Sequence, residues 1–175
     1  DDMAFFEIDP LIVRVAEDPA LFTYLVDRAT PAKVRVGDGR LLVAGEADAS
    51  VDLLLMDAFS SDTPPVHLFT LEAIEDANRA LAPDGLLAVH VSNRYYDLGP
   101  PISAALHAVG LTVLEREYVP TEAEAAGGAG LSDWLLGTRD PDAIGRLRAA
   151  GWVDARIADA PLTDDFPDLL RWFGR

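Results

Sequence analysis

The chain has no cysteine. That one absence removes disulfides, thiolate metal sites and cysteine nucleophiles together. Histidine is scarce too: the three residues stand at 67, 90 and 107, without the close spacing of a metal-ligand set. Positive charge is the next shortage. Fourteen Lys and Arg face 30 Asp and Glu, for a formal charge of −16, which repels nucleic-acid phosphates and anionic lipid surfaces, so no nucleic-acid partner is expected. The acids are spread along the chain rather than clustered, as on a solvated surface, although the same surplus also attracts small polycations. No apolar run approaches the roughly 20 residues that cross a bilayer, so no membrane insertion of this segment is expected. Finally, no glycine-rich strand-to-helix turn precedes Met3-Ala-Phe-Phe-Glu7-Ile-Asp9-Pro10.

What is present is enough for one domain. At 175 residues with half of them hydrophobic, the chain can bury a core, and a single domain over residues 1–175 is expected. Ala4 to Ile8 reads as a short strand, and Pro10 opens a helical pattern through Leu11, Ile12, Val15 and Ala16, and on to Leu21, Phe22 and Leu25. Ala32 to Val36 alternates as a strand, followed by a helical patch at Leu41 to Ala44. Val51 to Met56 is an apolar run of the kind that forms a strand buried in a parallel sheet. Leu68 to Leu81 has helical spacing and stops at the turn signal Pro83-Asp84-Gly85; Leu86 to Val91 is the next strand and Pro101 to Val109 the next helix.

Beyond Gly110 the pattern changes. Leu111 to Val119 and Leu131 to Thr138 both read as strands, with only a Gly/Ala-rich loop from Thr121 to Gly130 between them, which predicts an antiparallel hairpin. Pro141 to Ala150 reads as a helix, Trp152 to Ala158 as a short extended segment, and Phe166 to Phe173 as a terminal helix docked by its aromatics. Strands alternating with helices, then a hairpin, predict a three-layer α/β fold with a mainly parallel sheet and a C-terminal antiparallel hairpin.

In such a sheet the carboxyl ends of the strands open onto the binding crevice. Three strands end in acids: Glu7 with Asp9, Asp38, and Asp57. An acid after the second strand of a dinucleotide-type fold accepts hydrogen bonds from both ribose hydroxyls, the role that fits Glu7. Asp38, flanked by glycines that let backbone approach a ligand, fits recognition of an adenine amino group. Each is equally a helix N-cap or turn acid by type. His67, after Pro64-Pro65-Val66, either orients a substrate or makes a structural hydrogen bond. His90, inside an apolar strand, reads as a satisfied core or edge histidine rather than a base. Ser92-Asn93-Arg94-Tyr95 either lines the pocket or caps the following helix, and Trp134 and Trp152 are expected to pack the sheet edge.

Phe6-Glu7-Ile8-Asp9-Pro10, Val36-Gly37-Asp38-Gly39-Arg40 and Val51 to Asp62 follow, in order, the pattern of the spermidine synthase-like polyamine aminopropyltransferases, and the chain resembles that family over nearly its whole length. Asp57 to Asp62 with Pro65-Val66-His67-Leu68, His90-Val-Ser-Asn-Arg94-Tyr95 and Thr163-Asp-Asp165-Phe166 resemble the branch fused to membrane transporter segments. The resemblance implies a Rossmann-like class I S-adenosylmethionine-dependent methyltransferase fold without its first glycine-rich strand. It also implies aminopropyl transfer from decarboxylated S-adenosylmethionine, or a related reaction of S-adenosylmethionine, to a small-molecule amine, with no metal. Glu7, Asp38 and Gly39 would hold the cofactor, Asp57 would take the proton of the attacking amine, and Asp62, His67 and Tyr95 would line the substrate site. The implied location is cytoplasmic, as a free protein or as the cytoplasmic domain of a larger membrane protein, with a homodimer among the assemblies the family admits.

The departures are specific. The second acid of the family, three positions after the catalytic one, is here Ser60, with Asp62 two positions later; and a Pro-Thr-Tyr-Pro-type loop is replaced by Pro120-Thr121-Glu122 and an Ala/Gly-rich stretch. Methyl transfer from S-adenosylmethionine at the same cofactor edge, and a non-catalytic domain of the same fold, are the alternatives to aminopropyl transfer. The chain without the glycine-rich strand is expected to be inactive in isolation.

Overall fold

A computed structural model of the chain describes residues 2–25, 27, 32–58 and 64–174. Contacts divide the chain into two compact units, Asp1–Glu46 and Ala47–Arg175. The first is a βαβα unit: β1 (Ala4–Glu7), α1 (Pro10–Glu17), β2 (Lys33–Val36) and α2 (Gly39–Ala44). β1 and β2 pair in parallel with Glu7 opposite Val36, so their carboxyl ends share one edge. α1 begins where local chemistry dictates: Asp9 caps it by accepting from Leu11 N–H at 2.8 Å, and Pro10 supplies a preset φ and no N–H to leave unsatisfied. It ends at Glu17, not near Leu25, because Pro19 pushes Asp18 out of the helical region to φ −77°, ψ 108°. Among the described residues of this unit, Val43 alone is buried.

The second unit holds a five-stranded mixed sheet in the order β3-β4-β6-β5-β7. Its elements are β3 (Val51–Met56), α3 (Leu71–Ala80), β4 (Leu81–His90), α4 (Gly99–Ala108), β5 (Thr112–Tyr118), α5 (Glu122–Ala126), β6 (Ser132–Thr138), α6 (Pro141–Ala149) and β7 (Val153–Asp154). β3 and β4 are parallel, whereas β6 pairs antiparallel with both β4 and β5, and β7 antiparallel with β5. The expected hairpin is present, with its second strand inserted next to the parallel pair. Pro83-Asp84-Gly85 is a bulge inside β4 rather than its boundary: Val51 pairs with Leu81 and Leu53 with Leu86, so the extra residues of β4 loop out between two ladder positions.

The core lies between this sheet and α3 and α4. Ile74, Leu87, Ile102, Leu106, Leu114 and Leu135 are fully buried, each contributing roughly 1.5–3 kcal/mol of transfer free energy. α4 is buried on nearly every turn, consistent with its lack of charged residues. Glycine fits closely at position 137, where a Cβ would stand 2.9 Å from Cδ1 of the buried Leu111 and oblige it to shift. At the other side of the sheet, β3 pairs only with β4 among the described residues, and Leu53 and Leu55 on one of its faces are 59% and 57% exposed.

Two segments read as loop or helix from sequence take different forms. Thr121 to Gly130 contains the short helix α5, started by a capping box in which Thr121 and Glu124 satisfy each other's backbone N–H groups. The terminal helix is a single 3-10 turn, Leu169–Trp172, docked through an antiparallel bridge between Tyr96 and Phe173. No helix among the described residues is long and apolar enough to cross a membrane.

Candidate functional site

In the first unit, parallel pairing brings Glu7 and Asp38 to the same strand edge, where Gly37 N–H donates to the Glu7 carbonyl at 2.9 Å. Both carboxylates also serve the backbone. Glu7 Oε1 accepts from Asp9 N–H at 2.9 Å, and Asp38 caps α2 by accepting from Arg40 and Leu41 N–H at 2.9 and 3.2 Å. Gly39 is the first residue of α2, directly after this cap. The N-cap role and a ligand role are compatible in kind, since a carboxylate offers about four lone-pair sites. Two carboxylates at one strand edge, beside a residue without a side chain, can accept from hydroxyl or amino donors.

In the second unit, Asp57 follows β3 and faces the end of β4. The register sets Met56 opposite Val89, which places residue 57 abreast of residue 90. Asp57 Oδ1 and His90 Nδ1 are 2.7 Å apart. His90 Nε2 lies 2.6 Å from Ser92 Oγ, and Ser92 Oγ accepts from Asp133 N–H at 2.7 Å. The imidazole also stacks on Trp134, its partner in the β4–β6 ladder, with ring centroids 4.7 Å apart. Asp57 is about half exposed and His90 mostly covered, at 52% and 21% of their side-chain surface. A solvent-facing carboxylate is therefore held from behind by an ordered ring.

The remaining expected residues lie as follows. Asp62 falls outside the described residues. His67 is exposed on the 3-10 turn Val66–Leu68. Tyr95 follows β4 in a turn whose N–H groups at 95 and 96 are capped by Asn93 Oδ1, and its ring lies parallel to that of Phe173. Ser92 and Asn93 thus serve His90 and this turn, not the start of α4. Against β5 and β6 lies a cavity of about 350 Å³ lined by Asp97, Glu115, Glu117, Asp133, Trp134 and Arg156 among others. Arg156 occupies its acids from within: Asp97 grips the guanidinium with two bonds of 3.0 and 3.2 Å. That hydrogen bonding, with the charges of Asp97, Glu115 and Asp133, raises the Arg156 pKa against the opposing effect of burial. No group of three or more His, Asp or Glu among the described residues is placed to hold a metal ion.

No protein-family model matches the chain. Over 99 residues it is 30% identical to the polyamine aminopropyltransferase of Vibrio vulnificus (strain CMCP6), an alignment covering 54% of this chain and 32% of that protein. Among solved structures it is similar to a probable spermidine synthase from Corynebacterium glutamicum ATCC 13032, at a TM-score of 0.58 and 23% identity over 87% of this chain and 56% of that one. It is also similar to human methyltransferase-like protein 13 in complex with SAH, at a TM-score of 0.57 and 24% identity over 80% of this chain and 62% of that one. The fold is that of the spermidine synthases and S-adenosylmethionine-dependent methyltransferases. The chain spans about a third of the curated relative's length and somewhat over half of these two structures'.

Open α/β sheets bind ligands at the carboxyl ends of their strands. Glu7 and Asp38 stand at the carboxyl edge of the β1–β2 pair, and, in the separate second unit, Asp57 follows the carboxyl end of β3. From sequence these three acids are expected at a site, His90 reads as a core or edge histidine rather than a base, and Ser92 stands between pocket lining and a helix cap. No local signal marked the pairing of 57 with 90: it follows from the parallel register, which sets Met56 opposite Val89.

Proposed function

We propose that this chain supplies the adenosine-binding and amine-activating residues for spermidine synthase-like aminopropyl transfer from decarboxylated S-adenosylmethionine to a polyamine or related small-molecule amine. The observation that carries the reading is Asp57: a half-exposed carboxylate at the carboxyl end of a parallel strand, fixed through one oxygen by His90. The similarity to a polyamine aminopropyltransferase supports it. An ammonium has no lone pair, so it must give up a proton before it can attack carbon. A carboxylate that binds the ammonium, receives that proton and holds the nitrogen in line lowers the barrier by orientation and by base catalysis. The co-substrate supplies an aminopropyl carbon activated by its sulfonium, with a neutral thioether as leaving group. On this reading Glu7 accepts from the ribose hydroxyls, and Asp38 with Gly39 recognises adenine. Asp62, His67 and Tyr95 line the amine side, and residues 1–175 act as one domain in the cytoplasm.

Methyl transfer is the second reading, favoured by the equally good fold match to a methyltransferase-like protein in complex with SAH. One assay separates the two. Full-length protein given decarboxylated S-adenosylmethionine and putrescine is expected to release methylthioadenosine. Release of S-adenosylhomocysteine from S-adenosylmethionine instead establishes the second reading. Neither product, with no rise in melting temperature on adding either co-substrate, overturns both and leaves a non-catalytic domain.

A further inference from the structure

We infer that His90 is the positioning residue of the Asp57 carboxylate, held in a single tautomer by Ser92 so that one carboxylate oxygen is committed to the ring and the other meets the amine. The inference rests on the reading of Asp57 given above. Its basis is a chain of hydrogen bonds in which each donor finds an acceptor. Asp133 N–H can only donate, and it donates to Ser92 Oγ at 2.7 Å. An ionised Asp57 can only accept, so the 2.7 Å contact with its Oδ1 requires the proton on His90 Nδ1. In the tautomer we infer, Nε2 presents a lone pair, and Ser92, 2.6 Å away, gives its hydroxyl proton there. Direction runs from the β6 backbone through Ser92 and His90 to Asp57.

The ring cannot easily turn out of this arrangement. Trp134 stacks on its face with 23° between the planes, and the β4–β6 ladder fixes both residues opposite each other. The consequence for chemistry is geometric. With Oδ1 bound to Nδ1–H, the proton from the ammonium goes to Oδ2; His90 keeps its own proton throughout, and Asp57 returns the acquired one to solvent across its exposed side. The same three groups have the layout of an acid, base and hydroxyl nucleophile. Ser92 also accepts the Asp133 backbone N–H, which ties its oxygen to β6.

The test uses full-length protein labelled with 15N in its histidines, the His90 signals being assigned by their loss in His90→Asn. The expected spectrum shows a protonated Nδ1 and an accepting Nε2, with this preference weakened in both Asp57→Ala and Ser92→Ala. A protonated Nε2 in the unaltered protein, or a preference indifferent to both substitutions, overturns the inference. In turnover, His90→Phe is expected to lower kcat roughly 10- to 100-fold, the scale of a misplaced catalytic group, with little change in KM for the co-substrate. His90→Asn, whose amide N–H replaces Nδ1–H, is expected to recover most of that loss. Equal losses in the two variants, or covalent labelling of Ser92 by a fluorophosphonate probe, overturn it. If no variant and no parent protein transfers an alkyl group, the proposed function fails, while the spectrum, read without substrate, still decides the place of His90.

Discussion

Thr70 and Asp164 are 94 positions apart in sequence, yet the Thr70 hydroxyl donates to the Asp164 carboxylate at 2.7 Å. Thr70 is also the N-cap of α3, accepting from Ala73 N–H. The same helix start receives the tail twice more: Leu71 N–H donates to the Leu162 carbonyl at 2.8 Å, and Asp164 N–H to Glu72 Oε2 at 3.0 Å. The Thr163-Asp-Asp165-Phe166 stretch therefore closes a clasp over the beginning of α3, with Leu162 buried beneath it.

Replacing Thr70 by Val keeps the volume but removes both the cap and the donor to Asp164. The expected cost is about 1–2 kcal/mol, the size of a lost N-cap in a buried setting. Urea denaturation checks it, and Asp164→Asn, which keeps an acceptor in place, is expected to cost less.

A side chain at Gly137 is expected to cost stability. A methyl group there meets Leu111 at 2.9 Å in a packed interior, so Gly137→Ala is expected to destabilise by about 1–3 kcal/mol through overpacking. Thermal melts of the two proteins decide the matter.

Asp57→Asn removes the proton acceptor while leaving a side chain of the same shape for His90. Under the proposed function, kcat falls roughly 10²- to 10⁴-fold. Glu7→Gln and Asp38→Asn are expected to act on the other substrate, raising KM for the adenosyl compound roughly tenfold or more as a charge-assisted hydrogen bond weakens. Asn also caps helices well, so Asp38→Asn keeps α2 intact. Steady-state kinetics with each substrate varied separates the two effects.

The capping box of α5 is expected to fail in acid. Hydrogen bonds from the Thr121 backbone and side chain, and from Tyr118, lower the Glu124 pKa below its ordinary 4.5 against a smaller opposing effect of burial. A lowered native pKa means the unfolded turn binds the proton more readily. The stabilisation is therefore complete above about pH 4.5 and is lost as the pH falls through the lower native value. Chemical shifts of residues 122–126 followed down the pH scale report it, and Glu124→Gln is expected to flatten the response.

What sequence made legible follows local rules, and what it hid follows register. The strand ending at Met56 and the carboxylate after it were readable from an apolar run and its polar stop. Helix starts at Asp9-Pro10 and Asp140-Pro141 carry their caps in the sequence. The early end of α1 was readable as well, in Pro19, but the apolar spacing through Leu25 outweighed it. Thr121 and Glu124 spelled a capping box within what looked like flexible glycine and alanine. Pro83 to Gly85 signalled a turn correctly, but only the Val51–Leu81 pair shows that the strand has already begun before it. The pairing of Asp57 with His90 had no local signal at all. It arises from two strands 33 residues apart lying parallel in one register, and the Asp133 N–H that completes the array comes from a third strand running the other way.

The position of β6 between β4 and β5 bears on how the polypeptide emerges from a ribosome. The two strands made first in this region have no edge to share until the third has been synthesised, because it occupies the space between them. A nascent chain released only through Tyr118 therefore offers two open edges and no closed layer. The sheet knits together only after Thr138 has cleared the exit tunnel, making the interval between the emergence of Tyr118 and that of Thr138 the one in which chaperone protection matters most.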